Sequence, residues 1–230
     1  MREAVILAGG RGTRLQSLVA DLPKPMADLV GRPFLEILLS QLMVQGINRC
    51  VISVGYLAEA VISHFGTSFR GMEISYVREF TPLGTGGGLR LAMQQCVSEQ
   101  VFVFNGDTFL DVDVQSVERT WFEHRQPVMV GALVEDTLRY GRISSENGLV
   151  TGLLEKGFSG TGIINAGCYL LPVDILNAFQ PGTPFSLEQD FLVPCLPSCT
   201  FRLLVAEGLF IDIGIPEDYL RAQTVLAEYI

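Results

Sequence analysis

Along the 230 residues, short runs that are apolar at nearly every position alternate with segments whose apolar residues recur every three to four positions. The runs at 4–8, 50–54, 74–77 and 101–104 are rich in β-branched and aromatic residues and predict strands. Between them, residues 34–45 set Leu35, Leu38, Leu39 and Leu42 on one helical face, and helical patterns also cover 57–65 and 88–95. The first half thus reads βαβαβαβ, which predicts a parallel sheet with helices on its faces and a ligand beyond the carboxyl ends of its strands. After a helix over 114–123 the spacing tightens into strands at 128–134, 141–144, 149–154 and 163–170, a more mixed and partly antiparallel extension. Helices over 186–192 and 216–229 and strands over 203–206 and 209–213 complete the pattern. No repeat or low-complexity linker interrupts it, so a single α/β domain over 1–230 is expected.

Composition narrows the function. Hydrophobic residues make up 48% and charged residues 18%, so the chain can build a core. No apolar run approaches the ~20 residues that span a bilayer, and the apolar stretch after Met1-Arg2-Glu3 is too quickly broken by glycine for a signal peptide. A cytoplasmic protein without membrane association is expected. Sixteen basic against twenty-five acidic residues leave a net charge of −9, which argues against nucleic-acid binding, so any phosphate must be met locally. The five cysteines, Cys50, Cys96, Cys168, Cys195 and Cys199, form no CxxC pair, and with only His64 and His124 to help they predict reduced thiols rather than a zinc site.

The first strand empties into Leu7-Ala8-Gly9-Gly10-Arg11-Gly12-Thr13-Arg14-Leu15, where three glycines in four positions let backbone amides converge on an anion. Two cations follow, Arg14 and, between prolines that fix its backbone, Lys24. The loop has neither the GKS/GKT ending of a triphosphatase loop nor the dinucleotide GxGxxG spacing. Asp107 closes the strand of Asn105-Gly106-Asp107, at the edge where substrates approach; taken alone, an Asp after Gly is more often a turn residue. Asp212 sits among Ile211, Ile213 and Phe210, where a shared cation would offset its burial, or where it would cap the helix beginning near Pro216. Glu155-Lys156 and Asn165-Ala166-Gly167 offer a cation and an amide at strand ends, or else a solvated pair and a bulge. The loop Pro82-Leu83-Gly84-Thr85-Gly86-Gly87-Gly88 precedes a helix and presents its amides to a base or phosphate. His64 and His124 fall within helices and are structural.

LAGGxGTRL (7–15) followed by PKPM (23–26) resembles the signature of the sugar-1-phosphate nucleotidylyltransferases, and the later motifs extend that likeness over essentially the whole chain. The resemblance implies a Rossmann-like, mixed but mainly parallel sheet of the nucleotide-diphospho-sugar transferase type. It implies transfer of a nucleotidyl group from a nucleoside triphosphate to a sugar 1-phosphate, with release of pyrophosphate and with Mg²⁺ as cofactor. The catalytic residues would be Arg14, Lys24, Asp107 and Asp212, the two aspartates holding the metal. Leu7, Ala8, Gly9, Gly10, Gly12, Thr13, Gly84 and Thr85 would bind the nucleotide, and Gly141, Glu155, Lys156, Asn165 and Gly167 the sugar phosphate. Residues up to about 125 would then form a nucleotide-binding half and those from about 126 a sugar-phosphate-binding half.

A finer likeness, through PLGTGGG, NGDTFLDV, RYGRI, EKG, FSLEQDF and FIDIGIPEDY, is to the branch that guanylylates D-glycero-α-D-manno-heptose 1-phosphate. It implies GTP as donor, with Glu79 or carbonyls near Gly84 to accept from guanine and with Tyr140, Arg142, Ser186, Glu188 and Gln189 as candidates for the heptose side chain. The alternatives are mannose 1-phosphate as acceptor, UTP or dTTP as donor, or a non-catalytic nucleotide-sugar sensor. The last would be marked by loss of an aspartate or phosphate cation, whereas Asp107, Asp212, Arg14, Lys24 and Lys156 are all present. Gln16-Ser17-Leu18 in place of xPL, and glycine at each of 86–88, depart from the broad pattern and leave the nucleobase open. Oligomeric state is not encoded in these motifs.

Overall fold

The computed structural model describes residues 1–10, 12, 15, 22–154 and 156–229. The parallel centre of the sheet is β1 (Glu3–Ala8) with three strands beside it, β4 (Arg49–Val54), β6 (Met72–Arg78) and β7 (Gln100–Asn105). Two short pairs, β2 (Asp28–Leu29) with β3 (Arg32–Pro33) and β5 (Ser68–Phe69) with β6, sit beside this centre. The extension is built from β9 (Val128–Val134), β10 (Arg142–Glu146), β11 (Leu149–Leu154), β12 (Gly162–Pro172) and β13 (Arg202–Ala206). Among the described residues these make one sheet in the order β10-β11-β13-β9-β12-β7-β1-β4-β6-β5. β12 runs antiparallel to both β7 and β9, which makes the sheet mixed. Even so, β1, β4, β6, β7, β9, β10 and β13 all run in one direction.

The near-continuous apolar runs follow from burial on both faces. In β1, Ala4, Ile6 and Ala8 face the side covered by α1 (Phe34–Val44), α2 (Ala58–Phe65) and α4 (Val114–His124), while Val5 and Leu7 face α3 (Gly84–Met93) and the segment around Leu176–Phe201. Asp113 starts α4 by accepting from Gln115 N at 2.9 Å, a capping bond for an otherwise orphaned donor. No helix among the described residues is long and apolar enough to cross a membrane.

Three elements differ from the sequence expectation. The helix expected to begin near residue 88 begins at Gly84, because a glycine run that disfavours helix in isolation lets α3 approach another segment closely. The helix expected over 186–192 is a π-helical turn, Leu187–Leu192, whose following residue Val193 donates to Glu188 O, and a three-residue helix α5 (Val193–Cys195) continues it. The predicted strand 209–213 forms as β14 (Phe210–Asp212), but it pairs outside the main sheet with an unanticipated three-residue strand, β8 (Thr108–Leu110). The last helix, α6 (Pro216–Val225), has Pro216 in its first turn and ends in a 3-10 turn over Leu226–Tyr229.

Candidate active site

Two cavities open where the strands end, as parallel α/β architecture requires. The first, of about 420 Å³, is walled by the end of β1 and the glycine loop, Leu7 to Gly10 with Gly12, and by Lys24, Glu79, Gly84, Thr85 and Asp107. The second, of about 630 Å³, is walled by Gly141, Lys156, Asn165, Gly167, Glu188 and Asp212 among others. Thr85, Asn105 and Asp107 belong to both walls, so the two cavities meet at the end of β7.

Lys24 is the centre of that junction. Pro23 is extended, at φ −67° and ψ 145°, and delivers the chain into a 3-10 turn over Lys24–Met26. The lysine is thereby turned inward and is buried. Gly12 has φ +61°, and a Cβ there would lie 2.9 Å from Lys24 Cβ, so glycine allows the loop to close over the lysine stem. Lys24 Nζ donates to Asp107 Oδ2 at 2.6 Å and lies 3.8 Å from Asp212 Oδ1.

The two carboxylates arrive from distant parts of the chain. Gly106 N donates to Leu7 O at 2.9 Å, stitching the turn that carries Asp107 onto β1. The β8–β14 register sets Asp212 opposite Thr108, one residue from Asp107, and Ile213 N donates to Asp107 O at 3.0 Å. Asp212 Oδ1 accepts from Gly214 N at 2.6 Å. Asp212 does not cap the following helix, whose N-cap position is Ile215 without a side-chain bond.

In the second cavity, Asn165 and Gly167 lie where β12 shifts register against β9, so the bulge and the cavity wall are the same feature. Asn165 Nδ2 donates to Tyr169 Oη at 2.6 Å, and its Oδ1 accepts from Gly167 N at 3.2 Å. Burial pushes the Tyr169 phenol well above its ordinary value, with the Glu188 carboxylate adding to the effect. Tyr140 is raised first by burial and further by Asp218 and Asp212, against the opposing Arg139 guanidinium. Its ring packs edge-on against Phe210, with centroids 5.5 Å apart.

Of the residues expected in a site, the structure brings together Leu7, Ala8, Gly9, Gly10, Gly12, Lys24, Gly84, Thr85 and Asp107 in the first cavity, and Asp107, Gly141, Lys156, Asn165, Gly167 and Asp212 in the second. Thr13, Arg14 and Glu155 lie outside the described residues, as do Gln16-Ser17-Leu18.

Two expectations need correction. Arg142 is not on the second cavity's wall; its guanidinium donates to Thr161 O along the sheet edge. The amides of Gly86 and Gly87 are not offered to a ligand, because both donate to Phe185 O, at 3.0 and 3.3 Å.

Some features escaped the sequence reading. Asn105, on both walls, was signalled only by standing beside Gly106-Asp107. Arg139 and Asp218, 2.6 Å apart, tie the loop bearing Tyr140 and Gly141 to the start of α6, and nothing in their sequence spacing announces that pair.

Chemically, the first cavity suits a polyphosphate beside a fixed ammonium, and the second suits a polar ligand whose anionic end meets Lys156. Ligands held in the two cavities would meet at Asp107. Among the described residues no three His, Cys, Asp or Glu side chains gather to hold a metal. Asp107 and Asp212 do converge on one cation, the Lys24 ammonium, and two carboxylates with open space beside them fit the habit of Mg²⁺, which binds through one or two carboxylates plus waters and phosphates.

Comparison with known proteins agrees with this architecture. The model of the nucleotidyl transferase family matches residues 3–228. The chain is 37% identical to D-glycero-alpha-D-manno-heptose 1-phosphate guanylyltransferase of Aneurinibacillus thermoaerophilus, over 99% of this chain and 100% of that one. It is 38% identical to the protein of the same name from Campylobacter jejuni, over 94% and 96%. Among solved structures, HddC from Yersinia pseudotuberculosis complexed with GMP-PN superposes with a TM-score of 0.85 at 37% identity, covering 97% of this chain and 98% of that one.

Proposed function

We propose that this chain, which belongs to the nucleotidyl transferase family, transfers the guanylyl group of GTP to D-glycero-α-D-manno-heptose 1-phosphate, giving GDP-heptose and pyrophosphate. The observation that carries the reading is the pair of cavities joined at Asp107, with Lys24 and both aspartates at the junction. Near-full-length similarity to two heptose 1-phosphate guanylyltransferases supports the substrates, and similarity to a protein captured with GMP-PN supports a guanine nucleotide.

In this reading the triphosphate occupies the first cavity, over the glycine loop, and the sugar phosphate occupies the second, with Lys156 on its phosphate. The first half of the chain thus binds the nucleotide and the second half the sugar phosphate. A phosphate oxygen of the sugar attacks the α-phosphorus in line, and pyrophosphate leaves from the opposite side. The nucleophile is already anionic, so no general base is required. Lys24, held rigid by its prolines, neutralises charge on the phosphates, a role that Arg14 of the glycine-rich sequence would share. Asp107 and Asp212 would hold Mg²⁺, which supplies positive charge to the reacting α-phosphate and the leaving group. Glu79 is the candidate acceptor for the guanine N–H groups. Its carboxylate is fixed by Ser53 Oγ at 2.8 Å and Leu83 N at 3.1 Å while it borders the first cavity.

The test is a panel of GTP, ATP, CTP, UTP and dTTP against heptose 1-phosphate, mannose 1-phosphate and glucose 1-phosphate, with pyrophosphate release as readout. GTP with the heptose should give the highest kcat/KM. Equal or better use of mannose 1-phosphate removes the heptose assignment, and absence of pyrophosphate with every pair removes the transfer reaction.

A further inference from the structure

We infer that Glu188 is the contact through which the second cavity selects its sugar, accepting hydrogen bonds from hydroxyls remote from the anomeric phosphate; the inference rests on the transfer reaction proposed above.

Among the described residues, four charged side chains line that cavity: Asp107, Asp212, Lys156 and Glu188. The first two are drawn to Lys24, and Lys156 supplies a cation. Glu188 alone among the carboxylates has no basic partner within ion-pair distance among the described residues. It is held by hydroxyls instead. Thr85 Oγ1 donates to its Oε2 at 2.8 Å and Ser186 Oγ to the same oxygen at 3.0 Å. Thr85 Oγ1 in turn accepts from Leu187 N at 2.9 Å, which fixes the hydroxyl and the start of the π-helical turn together. Both of these bonds fall on Oε2, so among the described residues Oε1 keeps its accepting capacity.

An ionised carboxylate only accepts, and it repels phosphate. It therefore suits the uncharged, donor-bearing end of the ligand, which in a sugar 1-phosphate is the set of hydroxyls away from C1. Ser186 and Gln189 add polar atoms beside it, and Val193 adds an apolar surface for C–H groups. The heptose differs from mannose by one hydroxymethyl extension at that end. A pocket with room alone discriminates roughly ten- to a hundredfold, whereas one that must pair a hydroxyl reaches about 10⁴-fold. A fixed carboxylate whose second oxygen is open is the element that turns room into pairing.

Glu188→Gln keeps the shape but replaces an acceptor with an amide. The experiment is competition between heptose 1-phosphate and mannose 1-phosphate at saturating GTP, read as the ratio of their kcat/KM values in wild type and variant. That ratio does not depend on the fraction of enzyme that is folded and active. It should fall at least about thirtyfold in Glu188→Gln, while the KM for GTP moves less than about threefold. An unchanged ratio, or equal loss with both sugars, overturns the assignment of Glu188. Failure of wild type to use the heptose would instead overturn the proposed acceptor, so the two failures are separate.

Discussion

Replacing Gly86 with alanine sets a local preference against a tertiary one, and the structure decides the sign. In an isolated helix the substitution favours folding by about 1 kcal/mol. In α3, however, an added Cβ would run into the Phe185 ring, with Cζ at 2.9 Å and two further ring carbons nearer still. That ring has nowhere to go. It is buried and stacked on Phe179 at a centroid distance of 4.0 Å and an interplanar angle of 9°, and the Phe185 backbone is held by Leu83 O and Gly86 N. Overpacking of this kind costs about 1–3 kcal/mol, and a clash with several atoms of a pinned ring belongs at the upper end. Net destabilisation of about 1–2 kcal/mol follows, a fall of about 2–8 °C in Tm for a chain of this size. Because Phe185 leads directly into Ser186 and Glu188, the KM for the sugar phosphate should also rise more than that for GTP. Thermal and urea unfolding, followed by kinetics on both substrates, check this. A variant as stable as wild type, with unchanged KM values, would refute the claim that close contact with Phe185 explains the glycine run.

Asp107→Asn and Asp212→Asn should each leave a folded protein by circular dichroism but lower kcat by at least about 10²-fold, since either removes charge from the cation position beside the reacting phosphates; near-wild-type kcat at saturating Mg²⁺ in both would dismiss the pair as metal ligands. Lys156→Ala should raise the KM for the sugar phosphate with little effect on that for GTP, and a change confined to the nucleotide KM would reassign it to the first cavity. Glu3→Ala should cost about 3–5 kcal/mol, because the fully buried carboxylate pairs with Arg49 and accepts from Val97 N and Ser98 N, both at 2.9 Å. Both KM values should stay unchanged in Glu3→Ala, since Glu3 stands at the opposite end of β1 from the cavities; a denaturation midpoint matching wild type would show that the network contributes nothing.

What the sequence disclosed and what it concealed divide along the range of the interaction. The ten runs expected as strands all form within a residue or two, because β1, β4, β7 and their neighbours are buried on both faces and must be apolar almost continuously. Lys24 and Asp107 were legible for a local reason as well: prolines fix the one, and a strand end with a glycine exposes the other. The start of α3 was missed because propensity argues against a helix of glycines, and only the approach of Phe185, a hundred residues later in the chain, reverses that preference. Arg142 was misassigned because an edge strand and a cavity wall carry similar residues, and its guanidinium turned to Thr161 O instead.

The meeting of Asp107 with Asp212 shows how a core contact can set the chemistry. The run at 209–213 announces β14, but nothing in the sequence announces the three-residue β8 or its pairing with β14, which sets Ile211 against Phe109, both wholly buried. Ile213 is buried in the same cluster, with Phe34 and Leu226. With Ile211 and Ile213 both committed to that core, alternation along the strand turns the intervening Asp212 to the opposite face, where Lys24 and Asp107 stand. A slip of one residue would bury the carboxylate and expose the isoleucines, at a cost of several kcal/mol from apolar exposure and an unpaired charge together. The apolar pair Ile211–Phe109 therefore fixes the register on which the carboxylate pair depends. Truncating Ile211 should then depress turnover through Asp212 while Lys156 and the sugar phosphate KM stay as they are.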